Sequence, residues 1–255
     1  MWLQSAWAAL THVFINPSSF FEDDVDWRVG VSYNAFYAAL IQCFVVLFTI
    51  GLAYGSGTSV SGAGLSSVTG GVIELLYVFF AILVWGGLVG VSLTVVSDQE
   101  WLQPVVLTGS LIGVGAVAIG VASWLGLSTL VRSLVFFGTI GVWTVATYTV
   151  LWFDTSWFES VLGVAMYTWL VSYPYLLVNS VVSVLQTFSV LSGLVVNAMS
   201  ALLSAAAIVH IVTGTVRGVE EQLELSLWRG ALAVIVGPIV LILGFFVLLY
   251  LSVLV

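Results

Sequence analysis

The sequence contains no lysine, and charged residues of all types make up only 6% of its 255 positions. Soluble domains of this size are about a quarter charged, so a water-soluble enzyme is excluded. The 4 arginines are too few to build the basic surface that nucleic acid binding requires, so we expect no nucleic acid partner. The single cysteine, Cys43, excludes an intrachain disulfide and a thiolate metal site.

The 12 acidic residues outnumber the arginines and give a formal net charge of −8. This shortage of basic residues argues against a polybasic anchor for anionic lipid headgroups. Because lysine is missing and acid is in surplus, we interpret the composition as acidic and of the halophilic type.

Long apolar runs dominate what the sequence does contain, and 61% of its residues are hydrophobic. A transmembrane helix needs about 20 mostly apolar residues. Seven stretches meet this requirement: 30–54, 71–97, 104–125, 130–152, 158–178, 183–213 and 229–254. We therefore predict an all-α, polytopic transmembrane helix bundle of five to seven spans, formed by residues 30–255. Short links bound the fourth and fifth stretches, which could instead form a re-entrant hairpin.

Residues 1–29 are predicted to form an interfacial and cytoplasmic N-terminal segment. Apolar residues recur there every three to four positions, which is typical of a short amphipathic helix lying in the membrane interface. They are Leu3, Ala6, Trp7, Leu10, Val13 and Phe14. We expect Trp2 and Trp7 to lie at headgroup level, and Asn16-Pro17 to end the helix.

The orientation in the membrane follows from the arginines near the ends of the spans. Arg28, Arg217 and Arg229 fall on one side in a five-span or seven-span chain, and Arg132 falls on the other. We therefore expect a multi-pass protein of the cell membrane with a cytoplasmic N-terminus.

Two charged residues lie a few positions inside predicted spans, Glu74 and Arg132. Intramembrane charges often mark a transport path, but a structural ion pair near the interface is the favoured interpretation. Pro174 and Pro238 should kink or break their helices, as prolines do in many transporters. No reactive group accompanies them, so we expect no catalytic residue, no cofactor and no metal site.

Small and uncharged polar residues within the spans predict close helix packing. The amides are Asn34, Gln42, Asn179, Gln186 and Asn197, and the glycine pairs are Gly51–Gly55, Gly86–Gly90 and Gly109–Gly113. A further stripe of small residues comprises Ala198, Ala201, Ser204 and Ala205. These patterns indicate a compact bundle and are compatible with a homodimer.

Two stretches of sequence together resemble the Yip domain family. The first runs Asn16-Pro17-Ser18-Ser19-Phe20-Phe21, an acidic turn and Trp27-Arg28 before the first span. The second runs from His210 through Arg217-Gly218-Val219-Glu220 to Leu227-Trp228-Arg229-Gly230-Ala231-Leu232 and then Gly237-Pro238. The resemblance covers about a third of the chain, and its motifs contain no catalytic constellation.

The resemblance implies an integral membrane protein with about five spans and a cytoplasmic N-terminus. Eukaryotic members of the family interact with Rab-type GTPases in vesicle traffic, while the role of prokaryotic members, which this chain is more similar to, is largely undefined. This chain has seven apolar stretches, two more than the five spans usual in the family. The simplest explanation is an extra hairpin at about 130–178.

The function expected from these observations is non-enzymatic: the protein organises or recruits partners at the membrane, or shapes the bilayer. The candidate partner face comprises Pro17, Phe20, Phe21, Trp27, Arg28, Arg217, Glu220, Glu221, Trp228 and Arg229. The expected partners are the lipid bilayer and a protein on the cytoplasmic side. The alternative is a small-solute transporter or channel that uses the two proline breaks together with Glu74 and Arg132.

Overall fold

The fold was analysed in a computed structural model that describes residues 2–22, 25–56, 63–97, 102–151 and 156–243. Side chains are described for these residues except 2, 63–77, 103, 129–130, 141, 144–151 and 156. Every regular element in the described part of the chain is a helix, which confirms the all-α prediction.

The described residues form ten α-helices, which follow one another along the chain. They are α1 (Trp2–Ile15), α2 (Pro17–Phe20), α3 (Trp27–Ser56), α4 (Ala63–Val96), α5 (Leu102–Trp124), α6 (Thr129–Leu151), α7 (Ser156–Trp169), α8 (Ser172–Thr187), α9 (Gly193–Gln222) and α10 (Leu227–Ala231). A π-helical turn, Leu232–Val236, continues α10 into helical residues 237–243.

Five of the described segments are long and apolar enough to cross a membrane: α3, α4, α5, the α7–α8 pair and α9. The polytopic helix bundle is thereby confirmed. α6 is continuous over a length of about 34 Å, which exceeds the roughly 30 Å of hydrocarbon and does not match a re-entrant hairpin. The predicted stretch 183–213 was placed wrongly, because α8 ends at Thr187 and α9 begins only at Gly193.

The long helices alternate in direction between two ends of the bundle. We call the end where α3 begins and α9 ends the near end; α7 also begins there, because Arg28 pairs with Glu159. We call the opposite end, where α5 turns into α6 and α8 into α9, the far end. Most of the buried residues of α3 lie in its first half, so the core is concentrated toward the near end.

α7 lies at the centre of this core, and every residue from Phe158 to Thr168 except Glu159 and Ser160 is buried. Glycines of three neighbouring helices face it. A Cβ atom added at Gly30 of α3 would lie 2.7 Å from Met166 Cβ, and one at Gly218 of α9 would lie 2.6 Å from Val164 Cγ1. A Cβ atom added at Gly90 of α4 would lie 2.6 Å from the ring of Phe158. The helix backbones approach α7 this closely only because these residues have no side chain.

The predicted break at Pro174 is present, and it separates α7 from α8. Proline cannot donate to the carbonyl four residues earlier, and the backbone changes to tighter turns in which Leu170 N donates to Tyr167 O at 3.0 Å. The carbonyl of Met166 instead accepts a hydrogen bond of 2.8 Å from Asn34 Nδ2. Asn34 is fully buried, so this bond joins α3 to the broken end of α7.

A second polar link joins three helices in the core. Trp85 Nε1 of α4 donates to Thr215 Oγ1 of α9 at 3.2 Å, and Thr215 Oγ1 lies 3.2 Å from Thr168 Oγ1 of α7. Both threonines are fully buried. Each also bonds a carbonyl of its own helix, so their hydroxyls are satisfied in a region without water.

The second predicted proline distortion is also present. Pro238 comes shortly after the π-helical turn Leu232–Val236. The helix is wider in such a turn, and here it widens just before a proline, which has no amide hydrogen to donate. Gly237 lies directly against Ser92 of α4, so the last helix approaches the bundle closely at this turn.

The N-terminal helix α1 is amphipathic as predicted, but its packed face is narrower. Ala6, Ala9, Leu10 and Val13 are buried against the bundle, whereas Leu3 and Trp7 are exposed. Tyr37 Oη donates to Ala6 O at 2.9 Å. Residues of α1 belong to the same buried cluster as the spans, and α3 begins at Trp27, before the predicted division between 1–29 and 30–255.

The end of α1 is fixed by an aromatic cluster with α8 and α9. Phe14 stacks on the imidazole of His210 with ring centroids 4.9 Å apart. The hydroxyl of Tyr175 lies 2.7 Å from His210 Nδ1. These contacts make His210 part of the packing between α1, α8 and α9.

Gly30→Ala should destabilise the protein because its Cβ would meet Met166 Cβ, which is fixed to the backbone and cannot move aside. We expect a loss of about 1–3 kcal/mol in the free energy of unfolding. Unfolding in mixed micelles, followed by circular dichroism, measures this change. Gly51→Ala on the same helix is the matched control, since nothing lies within 4 Å of that position. Equal stability of the two variants would contradict the close-approach argument.

Candidate partner face

The two segments that make up the candidate partner face meet at the near end of the bundle. α2 packs against α9, and Gln222 Nε2 at the end of α9 donates to Phe21 O at 2.7 Å. The ring of Phe21 lies against Gly218, where an added Cβ would be 3.0 Å away. Residues about 200 positions apart are therefore held as one surface.

The aromatic residues of the first segment have an internal role rather than an exposed one. Phe21 is fully buried, and Phe20 is half-buried with its ring 5.1 Å from that of Tyr167. Pro17 begins α2 at the first helical position, where its missing amide hydrogen costs nothing. These three residues shape the face, but Phe21 offers no surface to a partner.

Two of the three arginines at this end are paired with carboxylates. Arg217 Nη1 donates to Glu220 Oε2 at 2.8 Å along α9, and Arg28 lies 3.7 Å from Glu159. The Arg28 guanidinium also lies 5.2 Å from the ring centroid of Trp27. Glu159 was not predicted as a site residue, although an acid in the first turn of a helix is a recognisable signal.

The accessible part of the face is acidic. Glu221 is exposed on the last turn of α9, and the turn that follows places Glu224 at a positive φ of 50°. Among the described residues, the exposed or half-exposed acids of this end are Glu22, Asp26, Glu159, Glu220, Glu221 and Glu224, and they outnumber the arginines Arg28, Arg217 and Arg229. A surface of this charge favours a basic counterpart.

Trp228 and Arg229 lie at the edge of the face. Trp228 is 71% exposed and precedes the exposed apolar residues Ile235 and Val236 of the last helix. Tryptophan is enriched where apolar helix surface meets the headgroups, and this is the position of Trp228. We therefore expect these two residues to lie beside the bilayer rather than at the centre of the acidic surface.

The predicted ion pair between Glu74 and Arg132 stays a prediction, because the side chain of Glu74 lies outside the described residues. Arg132 is at the far end, half-buried, and its Nε donates to Leu127 O at 2.5 Å. The transporter alternative, which depends on this pair, likewise remains a prediction.

No protein-family model, curated protein or solved structure matches this chain. The geometry of the face and the sequence pattern are therefore the basis for its function.

Phe21→Ala should destabilise the protein strongly, because Phe21 is fully buried against α9. We expect a loss of about 3–5 kcal/mol in the free energy of unfolding. Trp228→Ala is the control, and its exposed side chain predicts little change in the thermal midpoint of the purified protein. A midpoint lowered equally by both variants would show that Trp228 is also part of the packed core.

Proposed function

We propose that this integral membrane protein is a non-enzymatic organiser of the Yip-domain type, which recruits a protein partner to its near end. Its five membrane-crossing helices establish the membrane location. The cytoplasmic exposure of the near end is part of the proposal and follows from the arginines that lie there.

The observation that supports the proposal best is the joining of two distant segments into one surface. The hydrogen bond from Gln222 to Phe21 and the contact of Phe21 with Gly218 fix this surface without any ligand. A preformed surface binds a partner with a smaller entropic cost than a mobile segment does. The same two segments are those in which the sequence resembles the Yip domain family.

The charge of the surface specifies the chemistry of the partner. Arg217 and Arg28 are engaged with Glu220 and Glu159, so the outward charge is dominated by the remaining acids. Glu221 is the exposed acid on the regular helix and is the best position for a probe. We propose a partner with a basic surface, whose association weakens as salt screens the attraction.

A photo-crosslinking amino acid at position 221 of the full chain tests this function in native membranes. We expect a discrete protein adduct, because a bound partner would cover this position. The same amino acid at Ser128, which is exposed at the far end, is the matched control and should give no such adduct.

Glu221→Arg, introduced beside a crosslinking residue at position 224, should reduce the yield of the adduct by reversing the charge that attracts the partner. Glu221→Gln should reduce it less. An adduct of the same mass from Ser128, or none from either near-end position, would contradict the proposed function.

A further inference from the structure

A groove runs along the outer surface of the bundle between α5 and α6. Its volume is about 560 Å³, and it is open along one side. Gly113, Val117 and Val121 line it from α5, and Val135, Thr139 and Trp143 line it from α6. The lining runs from the middle of both helices toward the far end, so the groove lies at the depth of the hydrocarbon of one leaflet.

The lining of the groove is apolar in its chemistry. Its two hydroxyl groups are already bonded within their own helices: Ser110 Oγ donates to Leu107 O at 3.1 Å, and Thr139 Oγ1 donates to Val135 O at 2.7 Å. The groove therefore offers a hydrocarbon ligand an apolar surface whose hydroxyl groups are already hydrogen-bonded.

The groove leads to a positive charge at the far end. Arg132 precedes Val135 by three residues on α6, and the spacing of 132, 135, 139 and 143 keeps these residues on one face of the helix. Nε of Arg132 donates to Leu127 O, so the two terminal amino groups of the guanidinium are the donors that a ligand at the mouth of the groove would use. On the other wall, Trp124 is 84% exposed and continues the line of Val117 and Val121 to the end of α5.

The length of the groove along the helix axis matches the hydrocarbon thickness of one leaflet. From Ser110 to Val121 the helix axis rises by about 16 Å. Half of the roughly 30 Å hydrocarbon core is about 15 Å. An acyl chain lying in the groove would therefore reach from the bilayer midplane to the level at which Trp124 and Arg132 meet the headgroups.

We propose that this groove is a binding site for a glycerophospholipid of the far leaflet. One acyl chain lies along Val117 and Val135, and the phosphate accepts hydrogen bonds from the guanidinium of Arg132. Arginine binds phosphate through paired, charge-assisted hydrogen bonds. A lipid is favoured over a second copy of the chain because the mouth of the groove is cationic, and a phosphate complements that charge while a second Arg132 would repel it.

Native mass spectrometry of the purified full chain, titrated with dioleoyl phosphatidylglycerol, tests the site. We expect one tightly bound lipid on the wild type. Gly113→Leu places a side chain in the groove and should abolish this binding. Gly109→Leu is the matched control, because Gly109 is on the same helix, has nothing within 4 Å and does not line the groove. It should bind as the wild type does.

Arg132→Gln tests the headgroup contact separately. Loss of a charge-assisted contact should weaken the tight binding about tenfold. Unchanged lipid binding in both Arg132→Gln and Gly113→Leu would overturn the proposal. A changed dimer fraction in Gly113→Leu with unchanged lipid binding would overturn it in favour of a second copy as the occupant.

Tryptophan fluorescence gives an independent test, because it does not depend on the folding of a variant that has a larger side chain in the groove. In vesicles of phosphatidylglycerol brominated on its acyl chains, contact with bromine quenches indole emission. The difference in emission between wild type and Trp143→Phe should be strongly quenched. This difference is the emission of Trp143. If it were as large in brominated as in unbrominated vesicles, the proposal would be overturned.

Discussion

The close approach of three helices to α7 is the constraint on which the rest of the structure depends. Without side chains at Gly30, Gly90 and Gly218, the backbones of α3, α4 and α9 lie against a helix that is almost entirely buried. In a bilayer, lipid tails are as apolar as the core, so tight packing and interhelical hydrogen bonds replace the hydrophobic driving force. The bond from Asn34 to Met166 O is of this kind, and it forms at the end of α7, where Leu170 N donates to Tyr167 O and not to Met166 O.

Hydropathy predicts the spans well because each helix must cross the same thickness of hydrocarbon. It does not separate α8 from α9, since the turn between them is itself apolar and has no charge, glycine or proline before Gly193. The glycine pairs were predicted in part. Gly86 and Gly90 face α7, but nothing lies within 4 Å of Gly51, Gly55, Gly109 or Gly113. Gly214 and Gly218 have the same spacing and were missed, because spacing alone does not show which face is buried.

The candidate face could be predicted as two segments, but not as a set of accessible side chains. The predicted set contains both buried and accessible residues, and Phe21 is needed for the surface without being on it. The pairing of Arg28 with Glu159 could not be predicted from the sequence, because the two residues meet only through the packing of α3 on α7. The sequence does predict the charge of this end, since acids and arginines both collect near the ends of the spans.

Burial is unevenly distributed along α9: the half before Ile211 is mostly exposed, and the half after it is packed against α7 and α2. Its exposed half is held chiefly by α8, partly through the hydrogen bond from Ser200 to Asn179. Bilayers differ in thickness, and a helix adapts to a mismatch mainly by tilting. Within the hairpin of α8 and α9, the part of α9 before Ile211 lies outside the core around α7, so an adjustment there would disturb α7 least. The acidic surface at the near end should therefore keep its geometry in thin and thick membranes alike.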